Sequence, residues 1–389
     1  PKGGYACRHV VPRFGMVLML QRMASELDFR WDDLRLFLAA YRTRSLTQAA
    51  RRLGLNQSTP SRRLAAFEET LGARLFDRTP EGLVPAELAE RTGTAEHYAR
   101  EWLNAQAAGS FVSYDASTGR YLLRPEEAVA LTDEASPAFV GGLFQIVYGT
   151  IRDAQRVIDA AQAGDGVGWG EHNADVHVGC ERFFAPSYAA HLVGEWIPAL
   201  TSVPGKLAAG ATVADIGCGH AASTILMAQA FPRSTFLGAD AHGESVEIAR
   251  RRVERAGLAP QITLELAAAD AFTGGPYDLV TTFDSLHDMG DPIGAARHVR
   301  EVIADDGTWM IVEPAAGDRV EHNLTPVGRA YYGFSTLLCT PSSLAQPVGL
   351  ALGTQAGPER IRDVVTAAGF TRFRLVAHTP FNNVFEVRP

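Results

Sequence analysis

Glycines and carboxylates stand where predicted β-strands end in this sequence, and together they can bind a ligand that contains a nucleoside. The strand TVADIG runs into the loop Asp215–Ala221 (DIGCGHA), whose glycines let the backbone approach a ligand closely ahead of a helix N-terminus. Asp240 ends the next strand, 21 residues after Gly219, where a carboxylate can accept hydrogen bonds from both ribose hydroxyls. Asp270 ends the third strand. The glycine loop alone is weak evidence, but the three positions together predict a nucleoside site.

A histidine with acidic neighbours follows the fourth predicted strand and could transfer a proton. The strand YDLVTTFD runs into Ser-Leu-His287-Asp288, and an imidazole near its ordinary pKa can take the proton of a hydroxyl. Because holding two reactants in line also lowers a barrier without a base, a pocket-lining role for His287 stays open. Asp288 could orient the histidine or cap the next helix. Glu313 ends the fifth strand, where it could contact a substrate or cap a loop.

The pattern of apolar segments predicts the fold that would position these residues. From about residue 208, strands alternate with helices, which indicates an α/β fold with a parallel sheet and helices on both faces. A short connection joins the last two strands and predicts an antiparallel hairpin at one edge. The predicted strands are TVADIG, STFLGAD, ITLELAAAD, YDLVTTFD, TWMIVEP, FRLVAH and NVFEVRP. The predicted helices are Ala222–Ala230, Ser245–Ala256, Ile293–Ile303 and Glu359–Ala368.

Two kinds of cofactor suit such a glycine loop. A nicotinamide dinucleotide needs a third glycine for close packing at its diphosphate, and Ala221 stands at that position. Asp215 is a poor neighbour for a diphosphate and a good one for a sulfonium and an amino acid. The body also carries the segments WGEH, ERFF, GEWIPAL, FDSLHDMGDP, VEP and CTPSSL. With these features, residues 165–389 resemble the class I S-adenosylmethionine-dependent methyltransferases, in particular a bacterial branch, and a Rossmann-like domain is the fold that this implies.

The resemblance implies S-adenosyl-L-methionine (SAM) as the cofactor and a role for each matching residue. His287 would be the general base and Asp288 its catalytic partner, as in the LHDW segment of small-molecule O-methyltransferases. The implied cofactor-binding residues are Asp215, Gly217, Cys218 and Gly219 at the methionine part, Asp240 and Ala241 at the ribose, Asp270, Ala271 and Phe272 at the adenine, and Asp284 near the methyl group.

Aromatic side chains on both sides of this core predict a pocket for a flat apolar substrate, although the same spacing is also typical of a buried core. The long segment between Pro314 and Gly357 is interpreted as a lid. The expected substrate-pocket residues are Trp169, His172, Glu313, Tyr331 and Tyr332. No carboxylate and histidine set completes a metal site around His172 and His177, so we expect no metal.

The N-terminal region has a different charge and a different pattern. The whole chain of 389 residues has a net charge of −8, but residues 1–84 hold 14 Lys and Arg against 8 Asp and Glu, and the remainder is acidic. Helical spacing from Trp31, a turn at Gly54 and a polar helix start after it predict a helix-turn-helix. Arg and amide side chains there could read base edges, and hydroxyls could hold phosphates. The expected DNA-binding residues are Gln57, Ser58, Thr59, Ser61, Arg62 and Arg63.

The segment at residues 32–83 resembles the winged helix-turn-helix of LysR-type transcriptional regulators, with ARLFDRTPEGLV as its wing. The linker helix and effector domain of that family do not follow. We therefore expect a disordered leader at residues 1–30 and a LysR-type domain at 31–84. Because a single winged helix without its dimer partner makes few phosphate contacts, its DNA affinity should be poor.

Residues 85–135 predict a second winged helix that lacks its opening helix, with a hairpin at SFVSYDASTGRYLL. In small-molecule methyltransferases such modules commonly serve dimerisation or cap the pocket, so a homodimer is a possibility. A helical connector and pocket cap at residues 136–200 and the methyltransferase domain at 201–389 complete the expected organisation.

Three functional interpretations remain open. The first, which we favour, is O-methylation of a small molecule by a SAM-dependent enzyme with a LysR-type head. The second is a DNA-binding regulator whose body senses SAM or a small ligand, and the third is an idle head joined by accident near Val84.

Several other function classes are excluded. DNA methylation is disfavoured, because Asp284-Ser-Leu-His287 replaces the D/N/S-P-P-aromatic and Pro-Cys segments of DNA methyltransferases. No apolar run approaches the ~20 residues of a membrane span. Four cysteines without a CxxC pair fit a reduced, cytoplasmic compartment.

Overall fold

The computed structural model describes residues 5–9, 36, 39, 53, 76–80 and 82–389. These residues belong to two compact units, Pro1–Val129 and Ala130–Pro389, which are described separately. The expected DNA-binding residues at positions 57–63 lie outside the described part of the chain. Among the described helices, none combines the length and the apolar character that crossing a membrane requires.

The first unit contains two small antiparallel sheets and a helix-turn-helix. Its strands β1 and β2 pair with each other, and so do β3 and β4. Helix α1 ends at Gly93, whose left-handed backbone (φ 64°) turns the chain into α2. The Arg120 guanidinium donates two hydrogen bonds to Glu87, at 2.9 and 3.0 Å, and so joins the hairpin to α1. The elements are β1 (Tyr5–His9), β2 (Phe76–Pro80), α1 (Pro85–Thr92), α2 (Glu96–Ala108), β3 (Ser113–Asp115), β4 (Arg120–Leu122) and, across the unit boundary, α3 (Pro125–Leu131).

Two expectations for this unit can be compared with the described residues. Within the predicted leader, Tyr5–His9 forms a strand, because it pairs with Phe76–Pro80. The predicted wing at ARLFDRTPEGLV contains two strand-like pieces, Phe76–Pro80 and Leu83, which have different partners. Its second half turns away at Gly82 (φ 60°), and Leu83 exchanges backbone hydrogen bonds of 2.8 and 2.9 Å with Tyr121 of the second hairpin.

The second unit is built around a seven-stranded sheet with the order β10-β11-β9-β8-β5-β6-β7. The strands from β9 to β7 in this order are parallel neighbours, while β11 pairs antiparallel with β9 and β10. The predicted parallel sheet with an antiparallel hairpin at one edge is therefore confirmed. The strands are β5 (Thr212–Ile216), β6 (Thr235–Asp240), β7 (Ile262–Leu266), β8 (Tyr277–Phe283), β9 (Ile303–Pro314), β10 (Arg372–His378) and β11 (Asn382–Arg388).

Helices cover both faces of this sheet, because its central strands are apolar on both sides. Val213 packs in one buried cluster with residues of α7 and α8, and its neighbour Ala214 packs in the other with α9 and α12. The helices are α4 (Gly141–Ala163), α5 (Ala174–His191), α6 (Val203–Ala209), α7 (Ala222–Ala230), α8 (Gly243–Arg255), α9 (Pro292–Val302), α10 (Pro326–Phe334), α11 (Thr340–Leu344) and α12 (Gly357–Ala367).

Helices α4 and α5 pack against each other with their backbones in close contact. A Cβ atom at Gly142 would lie 2.4 Å from the Phe183 nitrogen, and one at Gly179 would lie 2.7 Å from the Ile146 nitrogen. Side chains larger than hydrogen therefore do not fit at this crossing. The close approach fixes α5, which supplies several of the side chains that line the central cavity.

Candidate active site

A cavity of about 720 Å³ lies in the second unit, where β5, β6 and β8 end. This is the edge of a parallel sheet at which ligands bind in open α/β folds. Of the residues expected to form the site, those on its lining are Trp169, Gly217, Cys218, Gly219, Asp240, Ala241, Asp270, Asp284, His287, Asp288 and Tyr331. The others lie off the lining, namely Asp215, Ala271, Phe272, His172, Glu313 and Tyr332.

Asp215 lies beneath the glycine loop, and its expected place in the cradle is wrong. Its side chain is fully buried, and its carboxylate accepts hydrogen bonds from Ser223 Oγ (2.7 Å), Thr224 Oγ1 (2.6 Å) and Thr281 Oγ1 (2.8 Å). Burial raises the pKa of Asp215, and these hydroxyls oppose the rise. The residue ties β5 to the start of α7 and to β8, so its role is to hold the loop.

The glycine loop itself approaches the neighbouring strand ends closely. Gly217 has φ 70°, and a Cβ atom there would lie 2.7 Å from Ser285 Oγ. The Gly219 amide donates a 2.8 Å hydrogen bond to Asp240 Oδ2, and the His242 amide donates one of the same length to Oδ1. Burial raises the pKa of Asp240, which these amides oppose. Ala221 adopts φ 61°, a conformation that favours the glycine usual at this place.

The adenine end of the expected site needs a correction. Asp270 is exposed and lines the cavity, but Ala271 lies outside the lining and Phe272 points into the core. Phe272 is 1% exposed, and its ring meets the His298 ring edge-on at 4.6 Å. The cavity wall at this place consists of small side chains from the preceding segment, Ala267, Ala268 and Ala269.

His287 is buried and held by two carboxylates. Its Nδ1 donates to Glu313 Oε2 at 2.5 Å, and its Nε2 lies 3.2 Å from Asp288 Oδ1. The other Glu313 oxygen accepts a 3.0 Å hydrogen bond from the Leu286 amide. Burial lowers the pKa of His287, but Asp288 and Glu313 outweigh that effect and raise the pKa well above its ordinary value. Both Glu313 oxygens thus position the histidine segment, which agrees with the alternative that Glu313 caps a loop, and its contact with substrate stays a prediction.

Asp284 stands between the sheet and helix α5. Its carboxylate accepts a 2.7 Å hydrogen bond from Tyr188 Oη and bonds of 2.9 and 3.1 Å from Asn382 Nδ2. These contacts hold a backbone with φ 49°, which is strained for a residue with a side chain. Burial, followed by the nearby Glu313 carboxylate, raises the pKa of Asp284 well above its ordinary value.

The substrate side of the cavity contains only part of the expected set. Tyr331 lines it and donates a 2.7 Å hydrogen bond to the Phe381 carbonyl. The His172 side chain is instead buried, and its Nδ1 lies 3.6 Å from Asp153 Oδ2. The Tyr332 hydroxyl lies 3.5 Å from Asn323 Nδ2. The aromatic residues Phe183, Phe184 and Phe334, which the sequence analysis considered for the pocket on either side of the core, line the cavity. Cys180, Tyr188 and Cys339 also line it, and the sequence analysis did not assign them to the site. Helical spacing in ERFFAPSYAA was the available signal for those on α5.

Comparisons with known protein families divide the chain into three matching segments. Residues 31–90 match the LysR family of bacterial regulatory helix-turn-helix proteins, and residues 72–133 match the Rv2258c-like winged helix-turn-helix domain. Residues 214–309 match the methyltransferase domain family. This part of the chain is a methyltransferase domain. The expected Rossmann-like fold with winged-helix modules ahead of it is confirmed.

Solved structures show the same fold at low sequence identity. An O-methyltransferase family protein from Burkholderia thailandensis is 19% identical, with a TM-score of 0.57, and the alignment covers 85% of this chain and 96% of that one. Human N-acetylserotonin methyltransferase in complex with SAM is 14% identical, with a TM-score of 0.58, over 80% of this chain and 88% of that one. These likenesses concern the fold alone.

One curated relative matches the N-terminal region. The HTH-type transcriptional regulator MJ0300 of Methanocaldococcus jannaschii is 47% identical over 57 residues, which is 15% of this chain. The matched segment spans only 19% of that relative.

A methyltransferase domain of this kind uses SAM, and the cavity offers the groups that SAM needs. Asp240 can accept hydrogen bonds from ribose hydroxyls, and the backbone at Gly217 and Gly219 is open to close approach. The described lining residues include no Lys or Arg that would repel a sulfonium. The residues present therefore fit the cofactor.

The different places of Asp215 and Asp240 lead to opposite expected effects of the same substitution. Asp215→Ala leaves three buried hydroxyls unpaired and should lower the free energy of unfolding by about 3 kcal/mol. Asp240→Ala should lower that free energy less, by about 1–2 kcal/mol, because it leaves two amides unpaired at the partly exposed edge of the cavity. It should weaken S-adenosylhomocysteine binding at least ~10-fold, because it removes the acceptor for the ribose hydroxyls. Denaturant unfolding and calorimetric titration measure the two effects. Equal loss of stability in both variants would contradict this division of roles.

Proposed function

We propose that this protein transfers a methyl group from SAM to a hydroxyl of a small aromatic molecule that carries no acidic group. The observation that carries the proposal is the buried His287, which is fixed through Nδ1 by Glu313 and lines the cavity beside Asp284. A ring held in this way presents one nitrogen, Nε2, to an acceptor. The low-identity O-methyltransferase structures support the same class of reaction, because they share the fold that positions this histidine.

In the proposed mechanism, bound SAM supplies an electrophilic methyl group on its sulfonium. The walls of the cavity hold the acceptor oxygen in line with that methyl group, which removes much of the entropic barrier. His287 Nε2 would accept the proton of the hydroxyl as the C–O bond forms and the methyl–sulfur bond breaks, with S-adenosylhomocysteine as the leaving group. Glu313 would stabilise the resulting imidazolium. His287 loses its proton more readily when another cation lies in the same cavity, so the cofactor-bound state favours the basic form.

The charge of the cavity lining limits the acceptor. Aromatic side chains such as Phe183, Phe184 and Tyr188 suit a flat apolar ring. Six acidic side chains line the cavity, and the described lining has no Lys or Arg to pair with a negative ligand. Of the six, Glu181 is paired with Arg252 and His220. An acceptor with a carboxylate or phosphate would be desolvated beside like charges, which is costly. The carboxylates are Glu181, Asp240, Asp270, Asp284, Asp288 and Asp291.

The first test compares catechols that differ only in the charge of their side chain. Dopamine, 3-(3,4-dihydroxyphenyl)propionamide and 3-(3,4-dihydroxyphenyl)propionate carry an ammonium, an amide and a carboxylate. We expect methylation of the first two, with kcat/KM at least ~10-fold above that of the carboxylate, which corresponds to about 1.4 kcal/mol. His287→Ala should reduce kcat by about 10²-fold or more and leave S-adenosylhomocysteine binding intact. A preference for the catechol with a carboxylate would refute the charge argument. If none of the three catechols is methylated, the proposal that an aromatic hydroxyl is the methyl acceptor is refuted.

The second test concerns the pH at which His287 becomes a base. Glu313 raises the pKa of His287, so Glu313→Gln should lower it. The basic form would then persist to lower pH, and the acid limb of kcat should move in the same direction. An NMR titration of the His287 imidazole, identified by its loss in His287→Ala, measures the pKa without an acceptor. Glu181→Gln is the matched control, because Glu181 bonds His220. If the titration midpoint of His287 is the same in Glu313→Gln as in the wild type, the pairing of Glu313 with His287 is contradicted.

We also propose that residues 31–84 bind duplex DNA, which the LysR family match and the MJ0300 match support. Whether this head serves a regulator whose body senses SAM depends on such binding. We expect weak binding of the whole protein in a gel shift, in the 10⁻⁴–10⁻⁶ M range typical of non-specific contacts. Replacing either Arg62 or Arg63 by Ala should make the slope of the logarithm of the DNA association constant against the logarithm of the salt concentration shallower by about one. Tight, sequence-specific binding would contradict the single-winged-helix argument.

A further inference from the structure

Three side chains at one end of the cavity offer a set of ligand atoms that the proposed reaction does not use as a set. His287 and Asp288 follow β8, and Cys339 lies far away in sequence, in the π-helical turn Ser335–Cys339 after α10. One ligand atom from each residue lies within 4.8 Å of the other two. All three residues line the cavity, so the cluster has an entry path and space for a further ligand.

The surroundings of the cluster resemble the outer shell of a metal site. A metal-binding histidine usually donates its second ring N–H to a carboxylate, which orients the ring. Here His287 Nδ1 donates to Glu313 at 2.5 Å, which leaves Nε2 for the cluster. Asp288 Oδ1 is buried 3.2 Å from Nε2, in the same cluster as the Cys339 thiol. A buried carboxylate of this kind can exchange its contacts with the imidazole and the thiol for a bound cation.

We propose that His287 Nε2, Asp288 Oδ1 and Cys339 Sγ bind a Zn²⁺ ion. A tetrahedral Zn²⁺ with bonds of about 2.0–2.3 Å places its ligand atoms about 3.3–3.6 Å apart. The Nε2–Oδ1 distance already fits, and a shift of about 1 Å by the Cys339 side chain closes the remainder of the geometry. Imidazole, carboxylate and thiolate are the ligands that Zn²⁺ takes in proteins, and three of them leave the fourth position open to the cavity.

The charges and protons of the site balance on binding. Burial and the Asp288 carboxylate raise the pKa of the Cys339 thiol to about 12, so the free protein holds the thiol protonated. A coordinating thiol is deprotonated outright by a bound Zn²⁺, and that proton, with the proton of Nε2, leaves to solvent as the Zn–S and Zn–N bonds form. The thiolate, Asp288 and Glu313 then surround the dication with negative charge.

The site shares an atom with the proposed base. Zn²⁺ on Nε2 occupies the lone pair that would take the acceptor proton, so the metal and the methylation chemistry exclude each other. This consequence rests on the proposed function, but the binding itself does not. Zinc would then act on the enzyme as a reversible inhibitor.

The experiment uses Co²⁺ as a spectroscopic probe for Zn²⁺ on the whole protein. We expect a near-ultraviolet thiolate-to-cobalt band with visible bands of a tetrahedral ion, all abolished when Zn²⁺ is added. Cys339→Ser and His287→Ala should lose the thiolate band or weaken binding at least ~10-fold. Cys180→Ser is the matched control, because Cys180 lines the same cavity outside the cluster and should leave the spectrum unchanged.

Two outcomes would overturn the site: no thiolate band in the wild type, or a band that survives Cys339→Ser and disappears in Cys180→Ser. S-adenosylhomocysteine binding measured on the same samples shows whether each variant is folded, and its absence from the wild type would count against the proposed function instead. Once an acceptor is found, Zn²⁺ inhibition that is weakened at least ~10-fold in Cys339→Ser is the expected kinetic result. Equal inhibition of the wild type and of Cys339→Ser by Zn²⁺ would refute the inference that the metal inhibits by occupying His287 Nε2.

Discussion

The buried carboxylate of Asp215 holds together the elements on which the cavity depends. Three hydroxyls, from the start of α7 and from the middle of β8, donate to it, and all of these groups are shut off from water. Desolvation alone would make such an anion costly, and the three donors offset that cost. Because they fix where β5 ends relative to its neighbours, Gly217 can approach Ser285 and the loop can present its amide to Asp240.

Glu313 plays the corresponding part at the other end of the site. One of its oxygens accepts a hydrogen bond from the Leu286 amide and the other from the His287 ring, so a single carboxylate positions both the backbone and the side chain of this segment. Its strand β9 pairs with β11, the inner strand of the antiparallel edge hairpin, which brings Asn382 to Asp284. The edge hairpin is therefore part of the site as well as the end of the sheet.

Periodicity and glycine position predicted the sheet well, because apolar strands and helix faces leave a local pattern in the sequence. Helix α7 has the predicted bounds, and α8 begins two residues before its predicted start. The role of Asp215 was not predictable in this way, since its partner Thr281 is distant in the chain and only folding brings them together. Cys339 was not predicted for the same reason, since it is distant in the chain from His287 and Asp288 and lies close to them only in the folded protein. The pairing of Leu83 with Tyr121 of the following hairpin was not predicted, because a short strand carries no signal for its partner.

Concentrated negative charge connects the properties of the cavity. Apart from Glu181, which pairs with Arg252, the carboxylates on the wall have no Lys or Arg partner among the described residues. Burial, followed by repulsion from Glu313, raises the pKa of Asp284. Such an arrangement is unfavourable when empty and favourable when a cation enters. A sulfonium relieves it, which suits the cofactor, and a divalent ion beside Asp288 relieves it as well. An acidic acceptor would increase the repulsion. The choice of ligand at this site thus follows from one electrostatic constraint. The same carboxylates hold the ring of His287 in place, as its proposed role as a base requires.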